Sequence, residues 1–272
     1  MNKKSWKEEA FRDQLSVERD FPGKTPISFR YAICCGHRTG SNLLGEALYK
    51  TGQAGDPMEY FNTRFLKVYA EDQLIENINY ANYLDEMKGR RTSPNGVFGI
   101  NIKIDQLRLS FGNDWKEAIR LIKDNDYVLF LYRKDRLRQA ISLYIGQYLD
   151  LFNVPATVSD EVIKDRVDSV PFNPKRIANC LSEGLSMEVA WLKFFKKNEI
   201  KYELLAYEEL ISNYEEVIGS LLSIFHVPDE NRRIPEKPMK KVANEKNEEL
   251  RRIFIDFLGG NGVSNGVLAA TG

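Results

Sequence analysis

The chain has little of several things, and each shortage closes a class of function. It has no excess charge: Lys plus Arg and Asp plus Glu both number 39, so the formal charge is zero. A nucleic-acid partner calls for a basic face, and none is expected here. It has only three cysteines, Cys34, Cys35 and Cys180, too few for a disulfide framework. Two of them are adjacent in an apolar run, which reads as small core residues in a reducing, cytoplasmic compartment. Only His37 and His226 offer imidazole, with no Cys/His ligand spacing, so no metal is expected. No apolar run reaches the roughly 18 residues of a membrane span, so no transmembrane segment is expected. The first residues, rich in Lys, Glu and Arg, do not read as a signal peptide. What remains is 272 residues, 43% hydrophobic, enough for one large α/β domain with a proper core.

The most informative stretch is Gly36-His37-Arg38-Thr39-Gly40-Ser41. An apolar run, Tyr31 to Cys35, precedes it, and an amphipathic run, Asn42 to Tyr49, follows. That order reads as a buried strand, a glycine turn and a helix. Unpaired N–H groups at a helix start, together with the helix dipole, favour an anion. Arg38 adds a fixed positive charge, so the unit suits a phosphate. A phosphate-loop kinase would show Gly-x-x-x-x-Gly-Lys-Ser/Thr. Here the two glycines are one residue too close, no Lys follows the second, and Asn42 stands where a Mg²⁺-holding hydroxyl is expected.

Further along, strands and helices alternate. Residues 4–20 read as a charged helix or arm, 31–35 as a strand and 41–51 as a helix ended by Gly52. Residues 64–90 read as a helical insert, Ser93 to Gly96 as a turn, and 97–104 as an alternating strand. A helix over 114–123 precedes the strongest strand signal, Tyr127 to Tyr132, and a helix to about residue 150 follows. Residues 151–172 read as a substrate-side loop or short helices, 175–197 as a long helix and 202–205 as a short strand. Helices are expected over 213–226 and 244–258, with a flexible tail from Gly259. The alternation argues for a parallel sheet with helices on both faces, a single domain over residues 1–258, and a ligand at the carboxyl ends of the strands.

The 127–132 strand ends in Arg133, not in the Asp that would hold Mg²⁺ in a phosphate-loop kinase. An Arg at a strand end and Ser142 on the next helix can grip a second phosphate. Arg136 and Arg138 read as a solvated helix face.

Together these blocks resemble the bacterial carbohydrate sulfotransferases of the trehalose 2-sulfotransferase type. The resemblance lies in Arg38-Thr39-Gly40-Ser41-Asn42-Leu43-Leu44, in Thr51 to Phe61, in Ser93 to Gly99, in Arg133 with Gln139-Ala140-Ile141-Ser142, and in Ala206 to Leu210. It implies the sulfotransferase version of the phosphate-loop fold and PAPS (3′-phosphoadenosine-5′-phosphosulfate) as donor. It further implies a carbohydrate or glycolipid hydroxyl as acceptor, and a homodimer. It puts Arg38, Thr39, Gly40, Ser41 and Asn42 on the 5′-phosphosulfate, Arg133 and Ser142 on the 3′-phosphate, and Lys241 in a donor-covering loop. Glu59 matches the general base, with His37 the next candidate. Glu59, Tyr60, Lys103 and Gln106 are expected on the acceptor side. Asn42 departs from the pattern, as does Asn101, which stands where the family tends to have Lys. Lys103 lies on the same strand face, so either it substitutes or the charge is lost. Two alternatives stay open: a kinase-like phosphate-loop enzyme, and a non-catalytic nucleotide-binding module.

Overall fold

The computed structural model describes residues 5–112, 115–150, 159–237 and 244–261. In chain order the elements are α1 (Ser5–Leu15), β1 (Phe29–Cys35), α2 (Ser41–Lys50), α3 (Thr63–Asp72), α4 (Tyr80–Arg91) and β2 (Val97–Lys103). Next come α5 (Ile104–Phe111), α6 (Trp115–Lys123), β3 (Tyr127–Tyr132), α7 (Arg136–Leu149), α8 (Asp160–Asp168) and α9 (Pro174–Asn198). The last are β4 (Glu203–Ala206), α10 (Tyr207–Ser212), α11 (Tyr214–Ile224) and α12 (Asn244–Asp256). They fall into two compact units, Met1–Lys134 with Met187–Pro238, and Asp135–Ser186 with Met239–Gly272.

The first unit holds the sheet. Its strands are all parallel, in the order β2-β1-β3-β4. Alternate residues serve opposite faces, as the pleat requires. Ala32, Cys34, Phe98, Ile100, Ile102, Val128 and Phe130 pack under α3, α4, α5, α6 and the end of α9. Phe29, Tyr31, Ile33, Cys35, Leu129, Leu131 and Leu205 pack under α2, α10 and α11. With both faces covered, the strands carry apolar side chains on both sides, which is why β1 and β3 read as continuous apolar runs. β2 has the alternation the sequence suggests, Gly99, Asn101 and Lys103 against Phe98, Ile100 and Ile102. Yet all of its residues are buried, although it is an edge strand.

Several elements differ from the sequence expectation. The helical insert is two helices. The chain turns between them at Leu74 (φ 55°), and the Asn79 side chain caps α4 by accepting from the Ala81 and Asn82 N–H groups. The strand over 97–104 passes without a loop into α5, which the sequence did not announce. Gln106 Oε1 accepts the Lys103 N–H at 3.1 Å and satisfies a donor at that junction. The expected helix over 213–226 is α11, and a further short helix, α10, which the sequence did not announce, precedes it and ends at Asn213 (φ −121°, ψ 41°). Within 151–172 the described residues, 159–172, hold one helix, α8, capped by the Ser159 side chain. Asp114, residues 151–158 and the tail beyond 261 lie outside the described residues. All three cysteines are free and buried.

In the second unit α7 packs on α12. Arg138 Nε reaches Glu248 at 2.8 Å. The Tyr144 hydroxyl donates to the Pro171 carbonyl at 2.6 Å. Arg138, read from sequence as a solvated helix face, is exposed but ion-paired.

Candidate active site

The sheet register assembles the site. Cys35 pairs with Lys103 on one side and with Leu131 on the other, and Tyr132 pairs with Ala206. The residues just past these positions are therefore neighbours: the loop after β1, Arg133 after β3 and Tyr207 after β4. The strand order reverses at β1, between β2 on one side and β3 on the other, and such a switch point leaves a crevice at the carboxyl ends.

The loop after β1 is bent by two left-handed residues, Arg38 (φ 60°) and Gly40 (φ 90°). The Thr39 hydroxyl donates to the Gly36 carbonyl at 3.0 Å and holds the bend. A side chain at Gly40 is impossible on two counts. The φ is unfavourable for any L-residue, and a Cβ would lie 2.4 Å from the Tyr207 ring. Gly40 is also the N-cap of α2 and gives no side-chain cap, so the helix start keeps its pull on an anion. Ser41 is buried and Asn42 exposed.

Arg133 leaves β3 and donates from Nη1 to the Arg38 carbonyl at 3.4 Å. Its guanidinium lies 4.5 Å from the centre of the Tyr207 ring, a cation–π contact. Both arginines are half-buried. Burial pulls the Arg38 pKa down and the charge of Arg133 pulls it further, against the opposing pull of Tyr207 and Glu59. Two guanidiniums held this close in a partly desolvated place raise each other's energy, and an anion between them relieves it.

Glu59 approaches from the other side. Gln106 Nε2 donates to its Oε2 at 2.7 Å and Asn62 Nδ2 at 3.1 Å, and its Oε1 is ion-paired with Lys103. The Gln106 carbonyl oxygen is already used by the Lys103 N–H, so its NH₂ must face Glu59. Burial alone would raise the Glu59 pKa. Lys103 and the two amides outweigh it and hold the carboxyl below its ordinary value. Lys103 mirrors this: burial lowers its pKa, Glu59 raises it, and the net direction is up. Beside them His37 Nε2 lies 3.2 Å from Asp105 Oδ2. Burial pushes the Cys35 thiol up to about 11, so it stays protonated and is no nucleophile.

The arrangement therefore unites Arg38, Thr39, Gly40, Ser41, Arg133, Glu59, Lys103 and Gln106. Lys103 makes the ionic contact that Asn101 does not. The Asn101 side-chain Oδ1 accepts from the Cys35 thiol at 3.2 Å. Tyr60 is a correction. It is fully buried, its hydroxyl donates to the Asp56 carbonyl, and its ring stacks on Phe98. It is a core residue with no surface for an acceptor. Ser142 lies on α7 in the second unit, and Lys241 lies outside the described residues. Sequence reasoning passed over Tyr207 and Asn62 as site residues. The signal for Tyr207 was its place directly after a short strand, parallel to the place of Arg133.

Chemically, this is an anion receptor beside an ionised carboxylate. The family model for Stf0 sulphotransferase matches residues 30–254. The chain belongs to that family. Two relatives are named trehalose 2-sulfotransferase. The one from Mycolicibacterium smegmatis is 25% identical over 260 residues, covering 80% of this chain and 91% of the relative. The one from Mycobacterium tuberculosis is 21% identical over 252 residues, with the same coverage. A solved sulfotransferase from Alicyclobacillus acidocaldarius aligns at a TM-score of 0.47 and 16% identity, over 86% of this chain and 93% of that one. The stretch matched to the sulphotransferase family contains every site residue above and leaves out α1 and the segment after it.

Proposed function

We propose that the chain transfers a sulfuryl group from PAPS to a hydroxyl of a carbohydrate or glycolipid, as one domain, in the cytoplasm. The observation that carries the reading is the pair Arg38 and Arg133, side by side at the ends of adjacent strands, with Arg where a Mg²⁺-binding Asp would stand. The residues suit the donor: amides of an uncapped helix start, two guanidiniums, and an aromatic wall in Tyr207. The donor supplies an activated sulfuryl group, and its S–O bond to phosphate breaks as a new S–O bond to the acceptor oxygen forms. Arg38 and the loop N–H groups stabilise the negative charge that grows on the departing phosphate oxygen. Glu59 is ionised and takes the acceptor's proton. Lys103 and Gln106 fix its direction, which matters because misaligned groups lose rate steeply. The family resemblance assigns Arg133 and Ser142 to the 3′-phosphate and Lys241 to a donor-covering loop. The acceptor class follows the naming of the two mycobacterial relatives. The sequence between residues 60 and 90 gives no ground for trehalose itself.

The test is a thermal shift. Adenosine 3′,5′-bisphosphate is expected to raise the melting temperature and ATP with Mg²⁺ to do so much less. Equal stabilisation, or dependence on Mg²⁺, would favour the kinase-like alternative.

A further inference from the structure

Glu59 sits on a strip of chain that lies against the outer edge of β2. The Asn101 N–H donates to the Met58 carbonyl at 2.9 Å, and the Asp56 N–H to the Arg91 carbonyl at 3.1 Å. Gly55 allows the closest approach: its φ is 69°, and a Cβ there would lie 2.7 Å from the Val97 carbonyl oxygen. The strip is held at both ends by residues from the start of the chain. Upstream, the Asp56 carboxylate, 1% exposed, receives Arg19 Nη2 on one oxygen at 2.8 Å. Its other oxygen receives Arg19 Nε at 3.0 Å and Arg91 Nη1 at 2.8 Å. Arg19 also reaches Glu46 at 3.2 Å and lies 3.9 Å over the Tyr49 ring. Arg91, fully buried, donates to the carbonyls of Gln14 and Ser16, each at 3.1 Å. Arg90 binds the Leu15 carbonyl at 2.6 Å and pairs with Asp20 at 3.0 Å. Downstream, Phe11 and Leu15 share a core with Phe65, Leu66 and Tyr69 of α3. Arg12 binds Asp72 and Glu71 at the far end of α3. These early residues all precede the family-matched stretch that begins at residue 30.

We propose that residues 11–20 form a clasp that positions Glu59, with Arg19 and Asp56 as its central positioning residues. The proposal rests on the reading of Glu59 as the general base. Only Pro57 and Met58 separate Asp56 from Glu59, and that short path is stiff. The Asp56 carbonyl accepts the Met58 N–H at 2.9 Å and the Tyr60 hydroxyl, and the Asn62 N–H returns to the Glu59 carbonyl at 2.9 Å. A displacement of Asp56 therefore reaches the Glu59 carboxylate. That carboxylate faces Lys103, Gln106 and Asn62 directly, with Arg38 and the Cys35 thiol nearby. Arg19 never touches that site, so it acts through the backbone alone. A buried carboxylate shared by two guanidiniums is costly to assemble, and fixing a neighbouring geometry is one use for such a pair.

The test reads the carboxyl of Glu59 itself and needs no acceptor. Protein labelled with ¹³C at glutamate carboxyls is titrated by NMR, and the signal missing from Glu59→Gln assigns the residue. In the parent chain Glu59 is expected to titrate below the ordinary carboxylate range. In Arg19→Ala it is expected to titrate higher by about half a pH unit or more, as the contacts to Lys103 and Gln106 loosen. Affinity for adenosine 3′,5′-bisphosphate, measured by calorimetry, is expected to stay within about twofold, since the loop and Arg133 are untouched. Added methylguanidinium should draw the titration back. Arg19→Lys, which keeps the charge but not the two-pronged bond, is the second variant and is read the same way if Arg19→Ala does not fold. An unchanged Glu59 titration in a folded Arg19 variant overturns the clasp. Full sulfuryl transfer by Glu59→Gln would overturn the base reading instead, so the two failures are separate.

Discussion

The loop after β1 and the strip bearing Glu59 face each other but are built by opposite means. The loop is local: six consecutive residues, two left-handed φ angles and an uncapped helix start give it its shape and its charge preference. The strip is long-range. It is held by Arg19 from one side of it in sequence and by Arg91 and Asn101 from the other, all more than 30 residues away along the chain. The comparison teaches that anion recognition needs little more than backbone and one or two cations, whereas aiming a carboxylate needs a scaffold.

The largest way to break this comparison is Glu59→Gln. It is expected to lower single-turnover sulfuryl transfer by about 10²–10⁴ and to leave donor affinity nearly unchanged. A large loss of donor affinity in the same variant would mean that the two regions do not work separately.

A smaller effect sharpens the comparison through pH. Glu59 has a lowered pKa in the folded state, so its contribution to stability is present above its unfolded value, about 4.3, and is lost as pH falls through the lower folded value. Lys103 has a raised pKa, so its contribution is present below about 10.4 and is lost as pH rises through the higher folded value. Urea unfolding across this range is expected to show both losses in the parent chain and a weaker acid-side loss in Glu59→Gln. Identical curves for the two would mean that the pair carries no linkage.

How much of this was legible follows from the same contrast. The loop, Arg133 and the parallel sheet could be read because each is written in a contiguous run: a glycine pattern, a strand-end residue, apolar stretches. That Lys103 shares a strand face with Asn101 could be anticipated from strand periodicity. Tyr60 was misjudged because adjacency to Glu59 says nothing about direction; the chain turns there, and the ring goes into the core beside Phe98. Tyr207 was missed because its meaning depends on β4 lying next to β3, a pairing no local pattern encodes. The Arg19–Asp56–Arg91 node was out of reach for the same reason, since its members are 37 and 35 residues apart in sequence. The second helix of the insert was signalled by Asn79, a good cap that was read through rather than as a stop.

The central claim is that the crevice at the ends of β1 and β3 is shaped for a nucleotide phosphorylated at both the 3′ and 5′ positions. Calorimetry on the parent chain and Arg133→Ala, each with adenosine 3′,5′-bisphosphate and with adenosine 5′-phosphate, tests it most directly. The parent chain is expected to bind the bisphosphate more tightly. Arg133→Ala is expected to lose about 1.5–3 kcal/mol toward the bisphosphate and much less toward the monophosphate. Equal losses toward both nucleotides would contradict the claim, because Arg133 would then not read the 3′-phosphate.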